Sequence, residues 1–335
     1  MTSDVPLLET LGLTRHFKVG GNLARRTLHA VDDVDLVVHS KEIVAVVGES
    51  GSGKSTLARL IAGVYRPTAG DIRYQGTSLE AIRGRKQLLA YRSDVPMVFQ
   101  DPFSSLNPAF RVSHGILRGL KLHRRDLNSR AERQAEAERV VDAVGLTPAR
   151  EILDRFPYEL SGGQRQRIGF AQALAYQPKL ILADEPVSML DVSIRVGLLN
   201  LMVRLRDEQD VSILYITHDL ASARYVSDRV VVMYGGTVVE AGPTEDVLAA
   251  PQHPYTQLLL AAAPDPRVAL DFDTGGDPAE PPRVVDPTPG CRFRDRCPLV
   301  EDVCHRIDPV PVALRPLHSV ACHVAAPATH PEGAR

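Results

Sequence analysis

Five consecutive apolar residues, Ile43 to Val47, run directly into Gly48-Glu49-Ser50-Gly51-Ser52-Gly53-Lys54-Ser55. No other stretch restricts the fold as tightly. A continuous apolar run of this length predicts a strand buried on both faces. The segment after it fits GxxxxGK[ST], a pattern that needs a strand before it and a helix behind it. Glycines allow backbone N–H groups to approach an anion without a Cβ clash, and the helix N-terminus adds partial positive charge. The helix is expected from Lys54 to about Ala62, stopped by Gly63. In such a loop the lysine reaches the β/γ phosphates and the following hydroxyl ligates Mg²⁺. Gly48, Ser50, Gly51, Gly53, Lys54, Ser55 and Thr56 are therefore the candidate nucleotide-binding positions, with Ser55 on the magnesium.

The remaining pattern places this unit in an α/β fold. Leu180 to Ala183 and Val211 to Ile216 read as further buried strands, and strands alternating with helical runs favour a mostly parallel sheet core covered by helices. Gly235-Gly236, between two β-branched runs, is a hairpin signal and predicts a small antiparallel element. The alternation breaks at about 102–178, where Asn128 to Val144 has helical spacing; this stretch is read as a helical subdomain. After Pro251 the composition shifts, and fifteen of the 25 prolines fall in the last 85 residues. The expected organisation is a nucleotide-binding domain over 1–250, an extension over 251–324 and a disordered tail over 325–335. Within the extension, Pro264 to Gly290 reads as an extended linker.

Bulk numbers exclude several classes. A net charge of −2 over 335 residues gives no electrostatic case for nucleic acid. The N-terminus lacks a secretion pattern, and no apolar run approaches the roughly 20 residues that span a bilayer. The expected location is the cytosol, with any membrane contact made through partners.

Two further segments complete the chemistry. Leu160-Ser161-Gly162-Gly163-Gln164 offers a serine N-cap and a glycine-rich first turn, which suits an anion. Leu180-Ile181-Leu182-Ala183-Asp184-Glu185 ends a buried strand in two carboxylates. In this order, the three segments resemble the ATP-binding cassette (ABC) ATPases. That resemblance implies roles residue by residue. Asp184 serves Mg²⁺, and Glu185 polarises the attacking water. Gln100 stands in the Q-loop, a further magnesium contact that also touches the membrane subunit. His218 is the switch histidine, and Phe17 is the aromatic beside adenine. Asp191 belongs to the D-loop, where Met189 departs from the usual alanine. Ser161, Gly162, Gly163 and Gln164 close over the nucleotide of a second ATPase subunit, so one chain alone should hydrolyse ATP poorly.

Three segments narrow the resemblance to bacterial oligopeptide and dipeptide importers. They are Phe99 to Pro108, His253-Pro254-Tyr255-Thr256, and Gly290-Cys291-Arg292-Phe293 with Arg296-Cys297-Pro298. The implied partners are a second, non-identical ATPase, two membrane permeases and an extracytoplasmic substrate-binding protein, with no nucleic acid. Relatives of this kind also import nickel, opines, glutathione or sugars. A soluble, non-transport ABC ATPase is the rival class; such proteins usually insert a long coiled coil or carry two cassettes, and neither is present. A guanine-reading N-K-x-D motif is absent too.

All four cysteines, Cys291, Cys297, Cys304 and Cys322, lie in the last 45 residues. Their spacing, C-x5-C-x6-C-x17-C, matches neither paired zinc knuckles nor a ferredoxin run. The resemblance favours a [4Fe–4S] cluster; Zn²⁺ and unligated or disulfide-linked thiols are the alternatives. Arg292, Arg294 and Arg296 are read as offsetting the cluster's negative charge, and the site as standing in a domain separate from the Gly48 loop.

Overall fold

The computed structural model describes residues 5–20, 26–82, 84–101, 106–262 and 284–326. Two compact units form, each from separated stretches of chain. One holds 38–43 and 77–216; the other holds 8–37, 44–76 and the chain from Thr217 onward.

The first unit is built on parallel strands. Leu180–Asp184 pairs with Met97–Val98 on one side and with Ser212–Thr217 on the other, Leu182 opposite Met97 and Leu180 opposite Ser212. Every residue of the two longer strands is buried, as a parallel strand covered on both faces requires. The helices Val112–His123, Arg130–Ala143, Ala149–Asp154 and Gly162–Leu174 fall between the first two of these strands in the chain. The second starts two residues later than Asn128, because Ser129 is its N-cap. The Ser129 hydroxyl accepts from the Glu132 N–H at 3.0 Å, and the Glu132 carboxylate accepts from the Ser129 N–H at 2.9 Å. These helices bury Ile116, Leu120, Val140, Val141, Leu153 and Phe170 against one another.

The second unit contains two sheets. In one, Leu8–Val19 lies between Arg26–Val38 and Ala69–Tyr74, antiparallel to the latter from Leu8 opposite Tyr74. In the other, Ile43–Val47 runs parallel to Arg229–Tyr234. Thr237–Pro243 then turns back antiparallel, through the predicted hairpin at Gly235-Gly236 (φ 54 and 86). The chain returns to this sheet near its end. His318–Val320 adds to Thr237–Pro243, with Val320 opposite Glu240, and Val312–Arg315 closes the edge. Three- and four-residue strands among prolines leave no alternation to read, so the sequence does not announce them. Their consequence is that the Cys-bearing stretch shares one compact unit with the Gly48 loop. Most of the expected Pro264–Gly290 linker, and the end of the tail, lie outside the described residues.

A buried carboxylate joins these pieces. Glu240 is fully buried. It accepts from the Gln252 and His253 N–H groups, both at 2.9 Å, and pairs with His318 Nε2 at 2.9 Å. Such a group is tolerated only when its hydrogen bonds are made. His253 caps the helix Pro254–Ala261, its Nδ1 accepting from the Tyr255 N–H at 3.0 Å.

Burial brings the His253 pKa down from 6.5 to about 4. The folded state therefore binds this proton less readily than the unfolded chain. The resulting stability is fully present above pH 6.5 and is lost as pH falls from there toward 4, by up to about 3 kcal/mol. His253→Asn keeps an acceptor for the Tyr255 N–H but does not titrate. Urea unfolding between pH 7 and 4.5 should show a flatter pH slope for this variant; an unchanged slope would refute the assignment.

Candidate nucleotide site

In the second unit, the strand Ile43–Val47 delivers the glycine-rich loop to the helix Lys54–Ile61. Gly53 caps this helix at φ 104, and a Cβ there would lie 2.2 Å from the Ala30 carbonyl oxygen. Only glycine fits both demands. Lys54 is 4% exposed. Its Nζ donates to the Gly48 and Glu49 carbonyls, each at 2.7 Å, and to Ser52 Oγ at 3.3 Å. The Glu49 N–H donates to the Tyr255 hydroxyl at 2.8 Å. The Gly236 N–H donates to the Ser52 carbonyl at 3.0 Å. His218 is exposed, just before the helix Leu220–Val226, which Asp219 caps by accepting from the Ala221 N–H at 3.0 Å. Phe17 is half-buried, edge-on to Tyr65 with 5.5 Å between ring centroids, and the Arg15 guanidinium sits 4.6 Å from its own ring centre.

In the first unit, Asp184 ends its strand at 3% exposure. The next residue, Glu185, takes φ 46, a left-handed conformation that costs a non-glycine residue free energy. It is held there by its N–H donating to the Ile216 carbonyl at 2.9 Å. Gln100 Nε2 donates to Glu185 Oε2 at 3.1 Å, so two residues 85 positions apart share one point. Leu160-Ser161-Gly162-Gly163-Gln164 opens the helix Gly162–Leu174 with a capping box. The Gln164 N–H donates to Ser161 Oγ at 3.2 Å, and the Ser161 N–H to Gln164 Oε1 at 3.0 Å. The Gly162 and Gly163 N–H groups belong to the first turn, which has no acceptor within its own helix. A Cβ on Gly163 would lie 2.3 Å from Ile194 Cγ2. Gln166, 1% exposed, ties this helix to the Gln100 segment by donating to the Phe99 carbonyl at 3.3 Å. Asp191 is exposed at the start of the helix Val192–Gln209, flanked by Met189 and Val192 at 63% and 74% exposure.

A groove of about 470 Å³ opens beside this segment. It is lined by Pro96 to Phe99 and by Arg165, Gln166, Gly169, Gln172, Ala173 and Tyr176 of the signature helix and its end.

The four cysteines are free thiols, with Cys304 buried. They converge: burial and the neighbouring Cys304, Cys322 and Cys297 push Cys291 up to about 11, and burial with Cys322 and Cys304 raises Cys297. The Phe293 N–H bonds to the Cys291 sulfur and the Leu299 N–H to that of Cys297, opposing the rise. The nearby arginines have partners of their own. Arg292 donates to the Gly235 carbonyl and to Asp32, and Arg294 to Thr288 Oγ1 and the Pro289 carbonyl. Arg296 pairs with Glu49. Arg292 and Arg296 thus pair with carboxylates distant in the chain, whereas the acceptors of Arg294 are neutral and local. Sequence reasoning missed Glu49, Tyr255 and Arg296 as members of this site; the His-Pro-Tyr-Thr motif was the one visible signal.

Among the described residues, one group of His, Cys, Asp or Glu brings three ligand atoms within 4.8 Å of one another: His16, His29 and Asp32. Asp32 already receives His29 at 2.8 Å, His16 at 3.1 Å and Arg292. No described helix is long and apolar enough to cross a membrane.

Fold and site together define a nucleotide-binding cassette. Residues 31–188 match the family described as ABC transporter, and 239–304 match the C-terminal region of oligopeptide/dipeptide transporters. The chain is 43% identical to a probable peptide ABC transporter ATP-binding protein of Sinorhizobium fredii, over 96% of this chain and 91% of that one. It is 41% identical to the oligopeptide transport ATP-binding protein OppF of Escherichia coli, over 94% and 95%. Among solved structures, it is similar to a dimeric ATP-binding cassette in a post-hydrolysis state bound to ADP and Pi. That likeness has a TM-score of 0.63 and 28% identity, covering 71% of this chain and 98% of the other. The chain belongs to the ATP-binding proteins of ABC transporters, and within them to the branch that carries the oligopeptide/dipeptide C-terminal region.

Proposed function

We propose that this chain is the ATP-hydrolysing subunit of a peptide importer, working with membrane permeases, a second ATPase subunit and an extracytoplasmic binding protein. The observation that carries the reading is the joint presence of a cassette fold and the peptide-transporter C-terminal region in one chain. Lys54 and the loop from Gly48 through Ser50, Gly51 and Gly53 to Thr56 bind the phosphates, and Phe17 stacks beside the base. Ser55, Gln100 and Asp184 offer hydroxyl, amide and carboxylate oxygens, a hard donor set suited to Mg²⁺, which would neutralise phosphate charge. Glu185, aimed by Gln100, accepts the proton of the attacking water, and His218 meets the γ-phosphate. Ser161, Gly162, Gly163 and Gln164 close on a partner's nucleotide, while Met189, Asp191 and Val192 lie at the ATPase interface. The groove beside Phe99 receives a short permease segment, so that closure of the ATPase pair moves the membrane subunits.

Glu185→Gln keeps the shape but removes the base, and should cut turnover of the assembled transporter at least about 10²-fold with ATP still bound. Lys54→Ala should instead raise the dissociation constant for ATP. Near-normal hydrolysis by the first variant, or unchanged affinity in the second, would overturn these roles.

Ser161→Asp separates two duties of one residue. Aspartate is as good an N-cap as serine, so the melting temperature should hold. Its charge opposes a phosphate, so ATP turnover in the assembled complex should collapse. Retained turnover would remove the signature segment from the nucleotide.

We read the four thiols as ligands of a [4Fe–4S] cluster, as the family resemblance implies, rather than of zinc. Tetrahedral zinc at about 2.3 Å puts its sulfurs about 3.8 Å apart, and no three of these sulfurs come within 4.8 Å of one another. Raised thiol pKa values also mean that ligation must displace protons. Cys291, Cys297, Cys304 and Cys322 would hold the cluster, which would supply a cross-link in a stretch poor in apolar surface. Protein purified without oxygen should be brown and contain iron and sulfide, and any Cys→Ser change should bleach it. Colourless protein with stoichiometric zinc, or with four titratable thiols and no metal, would end this reading.

A further inference from the structure

We propose that the Cys-bearing segment is a clamp on the phosphate loop, and that Arg296 is a positioning residue for nucleotide binding. The inference rests on the reading of the Gly48 loop as the ATP site. Arg296 lies 247 residues from Glu49 in the chain, yet meets it with both prongs of the guanidinium. Nη1 is 2.7 Å from Oε2, and Nη2 is 2.9 Å from Oε1. The two side chains are only 19% and 22% exposed. A bidentate pair partly withdrawn from water is both strong and directional.

Glu49 is the joint through which that contact reaches the chemistry. Its N–H is held by the Tyr255 hydroxyl, and its carbonyl accepts from Lys54 Nζ and from the Ser52 N–H. Side chain, N–H and carbonyl are thus all engaged, and the position of the Lys54 amine depends on the position of this residue. A second hold acts three residues on. Arg292 grips the Gly235 carbonyl, and the adjacent Gly236 N–H grips Ser52. Between the two arginines, Phe293 is 1% exposed against Tyr234, Tyr255 and His253. The segment therefore cannot shift without moving the loop.

Charge adds a second reason for Arg296. The loop binds a polyanion, and Glu49 places a carboxylate inside it. With Arg296 in place the pair is neutral. Without Arg296, an unpaired anion remains beside the phosphates and repels them. The prediction is specific in sign: removing the arginine should hurt more than removing both partners.

The test is direct MgATP binding to the full chain by calorimetry, with Lys54→Ala as reference. Arg296→Ala should weaken MgATP about tenfold. Arg296→Lys, which keeps the charge but loses the fork, should fall between. Adding Glu49→Gln to Arg296→Ala should return affinity to within about threefold of wild type. A purely structural role would lower the melting temperature of single and double variants alike and restore no affinity. Unchanged binding by Arg296→Ala, or a double variant no better than the single, overturns the clamp. If Arg296→Ala fails to fold, Arg296→Lys with and without Glu49→Gln gives the same comparison: recovery supports the clamp and no recovery overturns it. Unchanged affinity in Lys54→Ala would instead refute the reading of the loop, which separates the two failures.

Discussion

A lysine amine at 4% exposure must be given acceptors, and the phosphate loop is the device that supplies them. Two carbonyls and a hydroxyl converge on Lys54 Nζ only because the backbone from Gly48 to Gly53 turns back on itself. That turn is imposed from both ends. The buried strand Ile43–Val47 fixes where the loop begins, and the close approach of Gly53 to Ala30 fixes where the helix starts. Between those ends the loop has no core of its own. It borrows rigidity from Tyr255, Gly236 and Arg296, all contributed by later parts of the chain.

The first unit solves a related problem with a different device. Its carboxylates must stand at the end of a fully buried strand without being buried uselessly. Asp184 remains inside, while the left-handed turn at Glu185 swings the next carboxylate to Gln100. Strain of this kind persists only where neighbours over-determine it, and here the Ile216 carbonyl and Gln100 do so from two sides. Gln166 then binds the signature helix to the carbonyl that precedes Gln100. The Gln100 segment, beside the open groove, is thus hydrogen-bonded both to Glu185 and to the helix that Ser161 caps.

Legibility in the sequence followed the range of the interaction. The strand-loop-helix unit, the Gly235-Gly236 hairpin and the start of the signature helix all depend on residues within a few positions of one another. Serine followed three residues later by glutamine announces its own cap. The Arg296–Glu49 pair spans 247 positions, and nothing local distinguishes Arg296 from Arg294. Composition reads all three arginines as counter-charges for the thiols, and the geometry gives two of them, Arg292 and Arg296, carboxylate partners of their own. Those carboxylates lie 260 and 247 positions away in the chain. The strand His318–Val320, which brings the end of the chain back to the sheet, was itself illegible, since three residues are too few to carry a period. The compact unit that the thiols share with the Gly48 loop is illegible for the same reason.

The His16, His29 and Asp32 group shows how the same long-range folding decides between two chemistries. By residue type it could hold a divalent cation. Burial pushes the Asp32 carboxyl up, but hydrogen bonds from His29, Arg292 and His16 outweigh it and bring the pKa down to about 2. The guanidinium already supplies the positive charge that a metal would bring, and a metal would have to displace it. Asp32 also donates its N–H to the Gly236 carbonyl at 2.9 Å, while the Gly236 N–H serves Ser52. Asp32 thus secures Arg292 through its side chain and steadies the hairpin through its backbone. Both lead through the Gly235-Gly236 hairpin to Ser52 of the phosphate loop, so the cluster is better understood as the far anchor of that loop than as a metal centre.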